Sequence, residues 1–122
     1  MLSHIFSALH AQLARLPYPV YMADCVPEGA AFPYITAEIA APLTPAATGS
    51  LSLTLWTKGG NAHYERLPYA ETIHNLLPLR GTWLAAETGS ILLTGDGPVR
   101  CLQDGPLRGA ESRWMLRFFP SV

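Results

Sequence analysis

Four histidines, two cysteines and nine acidic residues are the groups of this chain that could do chemistry, and their spacing bears on whether they do. His4 and His10 stand six apart in a helical stretch, about 600° of rotation, so they fall on different faces; two metal ligands on one helix need a step of about three or four. His63 and His74 are eleven apart, roughly three turns, which lets them share a side but separates them by roughly 16 Å, too far for one ion. The expectation is exposed or packed histidines, with no metal and no cofactor. Cys25 and Cys101 each stand alone, without a CxxC or Cys/His ligand spacing, which predicts two buried or half-buried free thiols rather than a disulfide. A Cys–His nucleophile pair would have to be assembled by tertiary folding, because nothing around either cysteine matches a protease signature. Neither a G-x-S-x-G elbow nor a G-x-x-x-x-G-K-[ST] phosphate loop occurs, and Gly95-x-Gly97 lacks the helix start a phosphate-binding turn requires, so it reads as a hairpin turn. Glu65 with Glu71, or Glu87 with Asp96, would need to face each other across a cleft to act as acid and base, and solvated carboxylates are the expectation. No catalytic residue is assigned, and the chain is not expected to be an enzyme.

The bulk properties point the same way. A length of 122 residues suits one hydrophobic core, hence a single domain over residues 1–122. Hydrophobic residues make up 49% and charged ones only 14%, which argues against disorder and leaves little charge to cover a surface, so some apolar surface is expected to meet a partner. A net charge of −1 with eight Lys and Arg lacks the electrostatic footprint of a phosphate-binding protein, so no sequence-specific nucleic-acid binding is expected. Pro, Gly or polar residues interrupt every apolar stretch well short of the ~20 needed to span a bilayer, so no membrane partner is expected. The opening, Met1 to Phe6, has no basic leader followed by an apolar run, which suggests a cytoplasmic chain, at least at birth.

The elements that would position these residues follow from periodicity. Leu2, Ile5, Phe6, Leu9, Leu13 and Leu16 recur at helical steps until Pro17 and Pro19 stop the helix. Tyr18 to Ala31, with Pro27 and Gly29, has no lasting period and is expected to be an irregular or extended connection. Tyr34 to Ala40 alternates and carries β-formers, and Leu51, Leu53 and Leu55 alternate with Ser52, Thr54 and Trp56, which predicts two strands joined by an exposed Pro/Thr/Ala loop over Ala41 to Gly49. A helix is predicted from Asn61 to Leu77, with Asn61 as N-cap, an irregular start around Pro68, and Tyr64, Leu67, Ala70, Ile73, Leu76 and Leu77 on one face. Three further strands are predicted at Ser90 to Thr94, Val99 to Gln103 and Glu111 to Phe119; in the last, Trp114, Leu116 and Phe118 share one face and Arg113, Met115, Arg117 and Phe119 the other. The predicted fold class is α+β: a mainly antiparallel sheet with an N-terminal helix and a second helix packed on one face.

The first helix followed by Leu16-Pro17-Tyr18-Pro19-Val20-Tyr21, then Val26-Pro27-Glu28-Gly29-Ala30-Ala31-Phe32-Pro33-Tyr34-Ile35-Thr36, resembles the opening of the tail terminator (tail completion) proteins of long-tailed bacteriophages. In that family a first helix leads into a "PVY"-like run, and a "PYI"-like run enters the first strand. The order of loop, strand, amphipathic helix and terminal strands is similar over nearly the whole chain. The resemblance implies a structural virion protein, made in the bacterial host cytoplasm, that forms a ring, usually a hexamer, on the last ring of the tail tube protein. Such a ring stops tube polymerisation and offers a surface to the head–tail connector proteins in the neck. No bond is made or broken; recognition is by complementary shape and charge between closed rings. On this reading the candidate self- and partner-interface residues are Pro27, Glu28, Phe32, Tyr34, Thr44, Arg80 and Arg108, on the Met22 to Pro33 connection, the Ala41 to Ser50 loop and two basic positions. Phe32 and Tyr34 are equally readable as core filling. Other readings are a head–tail joining or other neck adaptor, a small binding or chaperone module, and a cysteine hydrolase needing an exposed thiol beside a histidine.

Overall fold

The computed structural model describes residues 2–42, 44, 47–58, 71–78 and 80–121. Helix α1 (Leu2–Leu13) is followed by β1 (Val20–Met22), β2 (Tyr34–Ala40) and β3 (Gly49–Lys58), then by β4 (Thr82–Ala86), β5 (Gly89–Gly95), β6 (Arg100–Asp104) and β7 (Leu107–Pro120). Residues 71–76 form a second helical run. The fold is α+β, with a curled, mostly antiparallel sheet. The expected N-cap Asn61, the kink at Pro68, the face residues Tyr64, Leu67 and Ala70, and His63 and Glu65 lie outside the described residues.

The seven strands join in the order β1-β2-β3-β7-β5-β4, with β6 beside β7. Within the Tyr18 to Ala31 connection, expected to be irregular or extended, Val20–Met22 is a short strand that pairs in parallel with Ile35 to Ala37. Strand β4 is likewise an element that periodicity did not predict. The loop after β2 ends at Thr48, because Gly49 and Ser50 already belong to β3. Gly49 is required there: a Cβ would lie 2.1 Å from the Ala40 carbonyl oxygen.

Strand β7 is 14 residues long and serves two partners on one side. Its first half pairs with β6 through a two-residue turn, Gly105-Pro106, in which Gly105 has φ +59°. Its second half pairs with β5 from Gly95↔Trp114 to Gly89↔Pro120, and Asp96 to Val99 step out of the ladder between them.

Register puts Ile35, Ala37, Leu51, Leu53, Leu55, Ile91, Leu93, Trp114, Leu116 and Phe118 in one buried cluster with Ile5, Leu9, Leu13 and Leu16 of the first helix and its following turn, and with Ile73 and Leu77. The period-two reading of β3 and β7 is therefore the observed one. Trp114 is the largest fully buried side chain, and its indole Nε1–H donates to the Leu77 carbonyl at 3.2 Å, so the most demanding core residue also has its polar atom satisfied. Gln12 Nε2 donates to the Leu76 carbonyl at 3.3 Å and ties the two helical segments together over this face. Phe6, expected on the buried stripe of α1, is instead 40% exposed.

Candidate functional site

Among the described residues the chemistry-bearing side chains do not converge on one site. His4 fastens the start of α1 to the β4–β5 turn, with Nδ1 3.0 Å from Thr88 Oγ1 and Nε2 3.2 Å from Glu87. His74 lies 2.9 Å from Ser112 Oγ, edge-on to the Trp114 ring, and burial holds its pKa below the ordinary histidine value. A serine–histidine contact is the geometry of an activated nucleophile, yet Ser112 is buried opposite Leu53, inside the core, where no substrate reaches it. The histidine instead satisfies a hydroxyl that would otherwise be orphaned.

Both cysteines are free, and both are exposed, which corrects the expectation of burial. Hydrogen bonding to Asp24, then the negative charge of that carboxylate, push the Cys25 thiol pKa up, the direction opposite to nucleophile activation. Among the described residues no group of three or more His, Cys, Asp or Glu is placed to hold a metal ion, and no helix is long and apolar enough to cross a membrane.

The interface candidates are spread over separate parts of the molecule. Pro27 and Glu28 are exposed on the connection after β1, as is Thr44 on the connection after β2 and Arg80 in the turn before β4. The aromatic pair divides: Tyr34 is buried, edge-on to Tyr21 at 5.8 Å, while Phe32, reached through a cis Phe32–Pro33 peptide, stays 39% exposed with its ring 5.0 Å from Tyr34. Arg108 braces its own hairpin, donating from one guanidinium nitrogen to the Gly105 carbonyl at 3.0 Å and the Leu107 carbonyl at 3.2 Å.

Two apolar surfaces that sequence reasoning did not assemble are better candidates. On the outer face of the sheet, Trp83 is 61% exposed and Met115 and Phe119 are each 40% exposed. The Trp83 and Phe119 rings lie 5.5 Å apart, and the Arg117 guanidinium sits 5.4 Å from the Phe119 centroid, within cation–π range. Cross-strand register explains the cluster: Trp83 pairs with Leu92, which pairs with Arg117, and Phe119 and Met115 flank Arg117 at two-residue steps. The alternation of β7 already set Met115, Arg117 and Phe119 apart; Trp83 gave no signal, because β4 is too short to show a period.

At the other end of the strand order, the core opens into a groove of about 460 Å³ between the helix and the strand edge, lined by Phe6, Leu13, Tyr18, Val20, Met22 and Ile39. His10 and the Tyr18 phenol are the polar side chains on its described wall. Its size falls in the range of ligand and side-chain pockets, and Phe6 and Met22 carry exposed apolar area at its rim. A smaller depression of about 340 Å³ on the outer face is polar, with Glu38, Ser52, Asp96 and Arg113 around it. The nearby Glu111 carboxylate is engaged by Arg113 Nε at 3.2 Å and by Ser52 Oγ at 3.3 Å, an arrangement that serves the sheet surface itself. Searches against protein-family models, curated proteins and solved structures return no match for this chain.

Proposed function

We propose that this protein is a structural subunit of a bacteriophage neck, a tail terminator that closes into a ring, usually of six copies in the family it resembles, on the last ring of the tail tube. On this reading it halts tube growth and presents a surface to the head–tail connector, in the virion, after assembly in the bacterial cytoplasm. The observation that carries the reading is the uncovered apolar cluster Trp83–Met115–Phe119 on the outer sheet face of so small and weakly charged a chain. Exposed aromatic, methionine and arginine side chains together are the composition of an interface centre, not of an ordinary solvated face. The resemblance of residues 18–36 to the tail terminator opening supports the same reading, and a neck adaptor that joins head to tail would use the same kind of surface.

The groove favours a second reading, a small binding or chaperone module that accepts an apolar segment of a client. The two part on assembly state. Purified protein examined by sedimentation and negative-stain electron microscopy, alone and with tail tubes, is expected to form closed rings and to cap tube ends. A concentration-independent monomer that leaves tube length unchanged would favour the binding module.

A further inference from the structure

The two apolar surfaces differ in shape, in position and in the charges beside them. Trp83 and Phe119 stand out from the sheet at its β4 end, whereas the groove is recessed at its β1 end, on the helix side. A surface that protrudes can enter a recess on the next copy, and repetition of such a head-to-tail contact gives a closed ring when the rotation allows it.

Charge agrees with this polarity. Among the described residues the ion pairs are His4–Glu87, Arg100–Glu111 and Arg113–Glu111. That leaves Arg117 within the aromatic cluster and Arg80 in the turn entering β4 without a carboxylate partner there. Asp24 and Glu28, on the connection that follows the Met22 rim of the groove, are left without a cation among the same residues. Arg15, on the helix side of the groove, is held by Gln12 at 3.3 Å. Arg15 keeps its charge there, and Glu87 adds a carboxylate at the β4–β5 turn. Arg117 and Arg80 beside the ridge and Asp24 and Glu28 beside the groove rim still give the two surfaces opposite local charge, which favours a head-to-tail approach over head-to-head pairing.

We propose that the Trp83/Phe119 ridge of one subunit seats in the α1–β1 groove of the next, with Arg117 and Arg80 facing the neighbour's Asp24 and Glu28. The proposal rests on the ring reading and names the two surfaces that build it. Two aromatic anchors of about 150–250 Å² each place the contact at the small end of stable interfaces, so a single contact is weak and ring closure supplies the remaining stability.

The test uses two exposed-site variants of the full chain, Trp83→Asp to abolish the ridge and Met22→Asp to abolish the groove, with Phe6→Asp as a second groove variant, each checked for native circular dichroism. By sedimentation velocity each alone is expected to self-associate at least about tenfold more weakly than the parent. Because each retains one intact surface, an equimolar mixture of a ridge variant and a groove variant is expected to give a one-to-one dimer and nothing larger. Parent rings together with folded variants that still form rings, or with mixtures that build species larger than the one-to-one dimer, would overturn this pairing of surfaces and leave the ring reading standing. A parent chain that never self-associates, even on tail tubes, would overturn both.

Discussion

Trp114, Leu116 and Phe118 alternate along β7 with Met115, Arg117 and Phe119, and the two sets meet opposite environments. The first three are at most 2% exposed, under the helices; among the second, Met115 and Phe119 are each 40% exposed on a face that no described element covers. One strand therefore carries an apolar face that is covered and, on its other side, a face on which large apolar residues alternate with arginines and that is not. The comparison teaches that hydrophobic residues on this strand meet two different environments, the chain's own core and an open surface, and that the polar atoms beside them tell which. The buried indole has a carbonyl acceptor within its own chain, while the exposed ring has a guanidinium that remains free to pair outward.

The strongest way to break the comparison is to truncate one side chain from each face. Trp114→Ala should cost about 3–5 kcal/mol, read from the urea midpoint, whereas Phe119→Ala should cost less than about 1 kcal/mol and act on assembly. Equal losses would make the outer face a second core. Next in size is Gly89→Ala: its new Cβ would lie 2.3 Å from the Phe119 carbonyl oxygen and 2.8 Å from Pro120 Cα, both backbone atoms. A penalty of about 1–3 kcal/mol is expected there, and almost none for Ser90→Ala on the opposite face.

Acid should discriminate the faces as well, through His74. Its folded pKa lies below the unfolded value of about 6.5, so the unfolded chain binds the extra proton first. Stability is constant above about 6.5, falls as pH drops from there through the folded value, and levels off below it, with a slope of at most about 1.4 kcal/mol per pH unit. His74→Gln should flatten that limb in pH-dependent denaturation. The smallest effect is expected for Cys25→Ser combined with Cys101→Ser: both thiols are exposed, so the melting curve should move by less than about 0.5 kcal/mol at each site and ring formation should persist. A specific loss of some hydrolytic turnover in that double variant would count against a purely structural role.

Strong local periodicity was legible. Strand β2 runs from Tyr34 to Ala40 as its alternation predicts, and the leucines of β3 and the inward residues of β7 face the core as read. What was not legible depends on partners distant in sequence. Val20–Met22 is three residues between prolines and a turn, and it becomes a strand only because Ile35 to Ala37 lie alongside. In β4 the largest side chain, Trp83, faces solvent and Leu84 faces in, so size misleads about the face. Of the interface candidates read from the sequence, Glu28, Phe32 and Arg80 are exposed, whereas Tyr34 is buried and Arg108 is occupied by its own turn, which only the folded register reveals. The groove draws on α1, β1 and β2 together, and the ridge on β4 and β7, combinations that no local window contains.

The central place of β7 has a consequence in time. The ladder β1-β2-β3 and the pair β4-β5 are joined to each other within the sheet only through this strand, the last of the seven to leave the ribosome. Until it emerges, β3 and β5 each present an open hydrogen-bonding edge, and the pairing that closes them brings Gly49 beside Leu116 across more than half the chain. The outer-face residues Met115 and Phe119 and the buried Trp114 thus take their places together, late. If the proposed ring is formed, a growing chain has no finished ridge to offer a neighbour, and association follows closure of the chain's own interior.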